Sequence, residues 1–312
     1  MDLVCQSSLQ ISAADEDQTT FPILIMFDIC IYRFMIANTE DLTMPDDGTA
    51  GMVRSVHLAI DVLEAVSFAD EDMGVTQIAE RLNVTKGSVH RHLQTLVERG
   101  YLAQNPATSR YTIGPKGRLL ARLAPETDLV RLAEGPMREL RDALGHTVVL
   151  SEMTPRGALV LATLASTSPI EIGVRSGSEL AFHASAQGKV MLAFAPRPFQ
   201  TRILARRFEA FTDKTITSAE RLEKALRDTV KRGYASAPEE AMLGLNAVAA
   251  PIFDSRDACI ATLAVVGSIQ FLPDKPKPSD IDALIKASQQ ISRKLGHGQH
   301  ESHFAKMRSR RT

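Results

Sequence analysis

Cysteine is scarce in this chain, and its three cysteines are far apart. Cys5, Cys30 and Cys259 are an odd number of thiols and form no CxxC or Cys/His pattern among 312 residues. Such a set argues against a disulfide framework and against a zinc site, and it fits a reducing compartment. We therefore expect a cytoplasmic protein with no metal site and no cofactor.

Net charge is nearly absent as well, at −1, although 23% of the residues are charged and 44% are hydrophobic. These values are typical of a globular protein, and 312 residues suffice for two domains. The small total hides an uneven distribution. Residues 1–50 carry nine acids against one base, whereas residues 81–122 carry eight bases against one acid, a net charge of +7.

A long apolar run is missing too. The best candidate, residues 21–36, is interrupted by Asp28 and Arg33 and is shorter than the ~20 apolar residues that a spanning helix needs. Its flank is acidic, whereas a signal peptide begins with a basic region. We predict that residues 1–50 are an extension without stable structure, or lie upstream of the true start, and that the protein has no membrane partner.

Helical periodicity begins just after this extension and predicts helices over 53–67, 75–82 and 85–99. Asn83 lies between the second and third helices, and asparagine tolerates the left-handed backbone of a tight turn. Thr85 is a suitable N-cap for the third helix. Two short strands around a turn come next. This order is typical of a winged helix-turn-helix, whose second motif helix enters the major groove.

The exposed start of the third helix carries side chains suited to DNA. We predict DNA contacts from Thr85, Lys86, Gly87, Ser88, His90 and Arg91 in this helix and from Arg110 in the second wing strand. Lysine and arginine reach phosphates and guanine edges, and the basic segment attracts duplex DNA through counterion release. Two open alternatives are that an amphipathic helix pair has this spacing by chance, and that Lys86 or Arg91 is merely solvated.

The second half of the chain mixes strands and helices. Predicted strands are 148–153, 158–164, 246–253 and 258–267, and predicted helices are 184–195, 198–207, 217–232 and 278–296. Residues 116–145 are predicted to be mostly helical, with breaks at Pro125 and at Gly135-Pro136. A capping box is predicted at Thr217–Glu220. The pattern favours an α+β domain with an antiparallel sheet over alternating βαβ units.

Three stretches, taken in this order, resemble the IclR family of bacterial regulators. They are VTQIAERLNVTKGSVHRHLQTLVERGYLAQ at 75–104 with RYTIGPKGRLLA after it, SELAFHASAQGKVMLA at 178–193, and RGYASAPEEAMLGLNAVAAPIFD at 232–254. The resemblance covers about residues 52–297, roughly four-fifths of the chain. Nothing before residue 50 matches the family.

The resemblance implies a division of the chain into domains. A winged helix-turn-helix domain is expected at 51–114, a linker helix that helps dimerisation at 115–127, and an effector-binding domain at 128–297. The last of these is expected to have a GAF-like or profilin-like α/β fold, with a disordered basic tail at 298–312. A homodimer or homotetramer on a palindromic operator of double-stranded DNA is also implied.

An effector pocket follows from the same resemblance. Its implied residues are Ala186, Gln187, Gly188, Ala237, Leu245, Ala247, Ala264 and Val266. Family members that bind small acids tend to place Asp, Cys and Ser at several of these positions, where this chain has alanine and valine. We therefore expect a small organic effector that is larger and more apolar, such as an aromatic carboxylate. The alternative is that these small residues simply pack the core.

The alternative functions are an enzyme and a membrane-tethered sensor. An enzyme would need catalytic residues, and the sequence has no nucleophile elbow, phosphate loop, metal spacing or Ser/His/Asp arrangement. The adjacent Glu239 and Glu240 are interpreted as a solvated or dipole-facing cap, and His183 as a structural histidine or a weak pocket candidate. A membrane-tethered sensor using residues 21–36 is the other alternative. The sequence favours a transcriptional regulator controlled by an effector, and not an enzyme.

Overall fold

The computed structural model describes residues 53–69, 71–123, 129–167 and 172–298. Three expectations lie outside these ranges. They concern the N-terminal extension at 1–50, the break at Pro125, and the basic tail from residue 299 onward.

The first part of the described chain is a helical unit with a small wing. Its elements are α1 (Arg54–Ser67), α2 (Val75–Arg81), α3 (Lys86–Glu98), β1 (Leu102–Gln104), β2 (Tyr111–Ile113) and α4 (Pro115–Leu123). Val62, Ile78, Val89 and Leu93 are fully buried at its centre. The predicted winged helix-turn-helix is therefore confirmed.

The second part is built on one antiparallel sheet. Its elements are α5 (Leu129–Leu144), β3 (Thr147–Met153), β4 (Gly157–Leu164), β5 (Glu179–Ala181), α6 (Ala186–Phe194), α7 (Arg197–Leu204), α8 (Ala219–Arg232), β6 (Ala235–Ser236), β7 (Leu245–Phe253), β8 (Cys259–Ser268) and α9 (Pro278–Lys294). The strand order is β5-β4-β3-β8-β7-β6, and neighbouring strands are antiparallel. The expected α+β class with an antiparallel sheet is confirmed.

Side chains alternate between two helical layers, as the period of a strand requires. On β3, Val148 and Leu150 pack with α5 and α9. Val149, between them, packs with α6 on the other face. Ala264 pairs with Val149 across β3 and β8 and lies on the same face. We call the residues of this second layer the α6 cluster: Val149, Val160, Ala186, Val190, Ala235, Ala237, Ala249, Ala264 and Val266.

The predicted break at Gly135-Pro136 is wrong, because α5 continues through both residues. Proline has no N–H, so the carbonyl four residues earlier, that of Leu132, loses its helical donor. Lys294 of α9 supplies a replacement, since its Nζ donates to the Leu132 carbonyl at 3.0 Å. Pro136 is itself buried, which adds apolar contact in place of the lost hydrogen bond.

Smaller differences occur at the ends of elements. The predicted cap at Thr217 is wrong, because Ser218 is the N-cap of α8 and its side chain accepts from the Arg221 N–H at 3.2 Å. Strands β5 and β6 were not predicted. They contain only three and two residues, which is too short for an alternating pattern to stand out.

Candidate DNA interface and effector site

The turn between α2 and α3 sets the recognition helix at a fixed angle. Asn83 has a φ of 51°, the left-handed conformation expected from the sequence. The Val84 N–H donates to the Ala79 carbonyl at 3.0 Å, which closes the turn. Thr85 caps α3, since its hydroxyl accepts from the Ser88 N–H at 3.3 Å. The first turn of α3 is thereby held rigid.

The outer face of α3 presents the side chains that the sequence singled out. Lys86, Gly87, His90 and Arg91 are exposed, whereas Ser88 is half-buried. Gln94 is exposed on the same row and was missed, although it follows His90 by four residues and helical spacing alone indicates it. An amide at this place can pair with an adenine edge in the major groove.

Arg110 is less free than the sequence suggested. It is half-buried, and one guanidinium nitrogen donates to the Asp72 carbonyl at 2.8 Å. The neighbouring Tyr111 pairs with Met73 through two backbone hydrogen bonds of 2.8 and 3.1 Å. Arg110 therefore anchors the wing to the segment before α2, and only its remaining N–H groups are available to DNA.

The effector candidates come together in space. Ala186, Ala237, Ala264 and Val266 belong to the α6 cluster, and each is at most 6% exposed. Ala247 packs against the cluster. Gln187 and Gly188 are buried in the first turn of α6, and Leu245 is half-buried at the start of β7.

Close backbone packing explains why residue 188, in the first turn of α6, is a glycine. A Cβ there would lie 2.6 Å from both the Ala181 carbonyl oxygen and the Phe182 Cα, well inside van der Waals contact. The Gly188 N–H also donates to the Oγ of Ser185, the N-cap of α6, at 3.0 Å. The helix start consequently packs directly on the end of β5.

A buried ion pair next to these residues was missed from the sequence. Lys189 of α6 binds Glu240 and also donates to the Ser236 carbonyl at 3.1 Å. Both side chains of the pair are under 10% exposed. Burial lowers the pKa of Lys189 and raises the pKa of Glu240, while the attraction between them opposes both shifts. The partners are 51 residues apart, so no local pattern connects them.

The interpretation of Glu239 and Glu240 as a solvated cap is therefore wrong for Glu240. Glu239 fits the interpretation as a solvated cap better. Its carboxylate accepts from the Gly244 N–H at 2.9 Å and pairs with the half-exposed Lys214. Hydrogen bonds from Lys214 and Gly244 hold the pKa of Glu239 below its usual range.

His183 has structural partners. Its Nε2 lies 2.8 Å from the Glu209 carbonyl oxygen, and its ring stacks on Phe208 and Phe211 at centroid distances of 5.0 and 5.5 Å. Burial lowers its pKa. The histidine thus connects the start of α6 with the segment that follows α7.

Metal binding, membrane insertion and thiol chemistry have no support among the residues that the structure describes. Those residues contain no group of three His, Cys, Asp or Glu side chains placed to hold a metal ion. None of the helices described is long and apolar enough to span a bilayer. Cys259 is half-buried, and the burial of its thiol raises the pKa to about 12, so this thiol is protonated at neutral pH.

Comparison with known proteins is consistent across sequence and structure. Residues 55–106 match the IclR helix-turn-helix domain, and residues 121–293 match the bacterial transcriptional regulator IclR C-terminal domain. The HTH-type transcriptional regulator BhcR of Paracoccus denitrificans is 31% identical over 246 residues, covering 78% of this chain and 88% of that protein.

Two solved structures extend the comparison. An IclR-type regulator from Alicyclobacillus acidocaldarius is 26% identical, with a TM-score of 0.63, and covers 79% of this chain and 98% of its own. A Microbacterium hydrocarbonoxydans IclR homologue, solved as a complex with 4-hydroxybenzoate, is 21% identical and has a TM-score of 0.65 over 77% of this chain and 98% of its own. This chain belongs to the IclR family, and it is a DNA-binding transcriptional regulator that responds to a small molecule.

Proposed function

We propose that this regulator is a homo-oligomer that binds a palindromic operator through α3 and releases or engages it when an apolar carboxylate enters the α6 cluster. The observation that carries the proposal is the cluster itself, where alanines and valines surround the start of α6. Its domains are a DNA-binding domain at 51–114, a linker helix at 115–127 and an effector-binding domain at 128–297. A regulator of this kind works where the DNA is, in the cytoplasm, and carries out no catalysis.

The effector class follows from the lining. The positions at which small-acid binders of the family place polar groups here hold Ala237, Ala247, Ala264 and Val266. An apolar lining gains affinity from an apolar ligand and leaves the hydroxyls of a small acid unpaired. The bound 4-hydroxybenzoate of the Microbacterium hydrocarbonoxydans homologue is an aromatic acid and supports the same class. The backbone N–H groups at the start of α6 suit the carboxylate end.

Calorimetric titration with aromatic and short aliphatic acids tests this assignment. Benzoate and its hydroxylated derivatives are expected to bind the full chain more tightly than glyoxylate or pyruvate. Because the cluster is closed, its side chains must separate to admit a ring, and we expect a negative heat-capacity change from the apolar surface buried on binding. Binding of glyoxylate-like acids alone would contradict the proposed class.

A direct contact supports communication between the two domains. A Cβ at Gly177 would lie 2.5 Å from the Cγ of Phe68, so the ring at the end of α1 rests on this glycine. The Gly177 N–H donates to the Val160 carbonyl at 2.8 Å, and Val160 belongs to the α6 cluster. A ligand that favours one arrangement of this cluster thereby favours one position of the DNA-binding domain.

Two helices offer an apolar face for oligomer formation. Leu119, Leu120 and Leu123 of α4 are 51%, 57% and 70% exposed, and α1 exposes Val56 and Ile60. Aliphatic side chains exposed in this number at helical spacing are typical of a protein interface. These side chains support the linker helix as the contact between two copies of the chain. Such a dimer has two recognition helices, as a two-fold symmetric operator requires.

The double variant Leu120→Glu/Leu123→Glu tests this interface. Both side chains are largely exposed, so the fold is expected to survive, while like charges at the contact separate the copies. Sedimentation at micromolar concentration should show a shift from dimer to monomer, with operator affinity at least about tenfold weaker. Val230→Glu is the control, because Val230 is 52% exposed on α8, and it should change neither property. An unchanged mass for the double variant would remove α4 from the interface.

A further inference from the structure

Two hydroxyl groups are buried in the middle of the sheet without a hydrogen-bond partner. Ser151 of β3 and Thr262 of β8 are both 0% exposed. Their Oγ and Oγ1 atoms have no partner within hydrogen-bonding distance among the described residues. Buried hydroxyls are nearly always paired, because an unpaired one destabilises the folded protein. Two of them side by side therefore require an explanation.

The pair faces the α6 cluster. Ser151 and Thr262 are direct neighbours across β3 and β8, two residues beyond the pair Val149 and Ala264. Strand alternation puts all four on one face, and Val149 and Ala264 belong to the α6 cluster. Direct cross-strand neighbours have Cβ atoms about 4.5–5.5 Å apart, so one ligand atom can meet both hydroxyls.

Thr147 carries a third hydroxyl on the same face of the sheet, and this one has hydrogen-bond partners. Thr147 accepts from the Ser166 N–H at 3.2 Å and donates to the Ile172 carbonyl. Thr147 is the first residue of β3, and Val149 lies between it and Ser151 on this face. The contrast shows that the sheet can satisfy a buried hydroxyl when its role is structural.

We propose that Ser151 and Thr262 form the polar end of the effector site and bind an uncharged oxygen of the ligand, such as a phenolic hydroxyl. A full negative charge is disfavoured there, because the surroundings are apolar, and the buried ammonium of Lys189 on α6 is already bound to Glu240. This inference rests on the proposed function and adds the ligand group that the hydroxyls recognise.

The spacing along β8 fits an aromatic acid with polar groups at both ends. Thr262 is two residues from Ala264 and four from Val266, about 7 and 13 Å along a strand. A single ring substituted at opposite positions matches the shorter of these two distances, and we place its hydroxyl toward Ser151 and Thr262 and its carboxylate toward the start of α6. Benzoate fills the apolar part and leaves both protein hydroxyls unpaired, so the pair discriminates against it.

The variants Ser151→Ala and Thr262→Val test the proposal with two readouts. Titration of the full chain with 4-hydroxybenzoate and with benzoate should give the wild-type protein a preference of about tenfold or more for the hydroxylated acid. The double variant should lose most of that preference. Valine has the shape of threonine but no hydroxyl. The Tm of the Thr262→Val variant should therefore be unchanged or higher, as expected when an unpaired buried group is removed.

Ser288→Ala is the matched control. The Ser288 hydroxyl is also buried, but it donates to the Pro251 carbonyl at 3.0 Å from the other helical layer. Its removal should lower the Tm and leave the ligand preference intact. A lower Tm for Thr262→Val, or a double variant that keeps the wild-type preference, would overturn the inference and leave the effector function in place. Failure of both acids to bind the wild-type chain would overturn the proposed ligand class as well.

Discussion

Replacement of Lys189 by methionine is expected to lower the free energy of unfolding by about 3–5 kcal/mol. Methionine has a similar length but no charge, so Glu240 would be left buried without its cation. The backbone of Glu240 is fixed as well, because the Thr215 hydroxyl donates to the Glu240 carbonyl at 2.6 Å. Urea unfolding monitored by circular dichroism measures the effect.

The double variant Lys189→Met/Glu240→Met separates loss of the charge pair from loss of packing. Removing both charges leaves no unpaired ion, and buried ion pairs are often replaceable by apolar side chains at little cost. We expect the double variant to recover most of the lost stability. A single variant within about 1 kcal/mol of the wild type would show that the pair is not desolvated as the structure has it.

The free energy of unfolding of the Lys189→Met variant should also depend on pH. Burial already raises the pKa of Glu240, and removal of Lys189 takes away the largest opposing influence. The folded state of the variant therefore binds a proton more readily than the unfolded chain does. The stability that protonated Glu240 contributes to the folded variant is fully present below the pKa of Glu240 in the unfolded chain. It is lost as the pH rises through the pKa of Glu240 in the folded state. The deficit relative to wild type should thus shrink from about pH 8 to about pH 5.

The double variant Lys86→Ala/Arg91→Ala should weaken operator binding by roughly 100-fold or more. Each side chain is exposed at the start of α3, where a base or phosphate contact is worth about 1–3 kcal/mol. Removing two phosphate contacts should also reduce the slope of log affinity against log salt by about two. Fluorescence anisotropy with labelled operator at several salt concentrations gives both quantities.

A charge-matched variant excludes a general electrostatic effect. Arg138→Ala/Arg227→Ala removes two exposed positive charges from α5 and α8, outside the DNA-binding domain. At physiological salt these charges are screened from the DNA, and we expect less than about threefold loss. Equal losses for the two double variants would contradict the assignment of α3 as the recognition helix.

The local patterns of the DNA-binding domain were sufficient to predict it. Ile78, Val89 and Leu93 recur at helical spacing and are buried as expected. Asn83 and Thr85 mark the turn and the cap through their own backbone preferences. Each of these signals depends on residues within a few positions, so the sequence contains all the information needed.

Features that depend on distant partners could not be predicted. Local rules predict a break at Gly135-Pro136, and the partner that replaces the lost helical donor of Leu132 is Lys294, 162 residues away in the chain. The Lys189–Glu240 pair and the unpaired Ser151–Thr262 neighbours arise from the packing of helices and strands that are far apart in the chain. Their polar residue types appear ordinary until the fold brings them into an apolar layer.

The most direct test of the account is a binding titration of the full chain on its own upstream intergenic DNA, repeated with benzoate, 4-hydroxybenzoate, glyoxylate and pyruvate. We predict a saturable shift that resists nonspecific competitor DNA, and an affinity that changes with an aromatic acid. A specific shift that none of these acids alters would contradict the assignment of the α6 cluster as an aromatic-acid site. No shift at low salt, from protein shown to be folded, would contradict DNA recognition by α3.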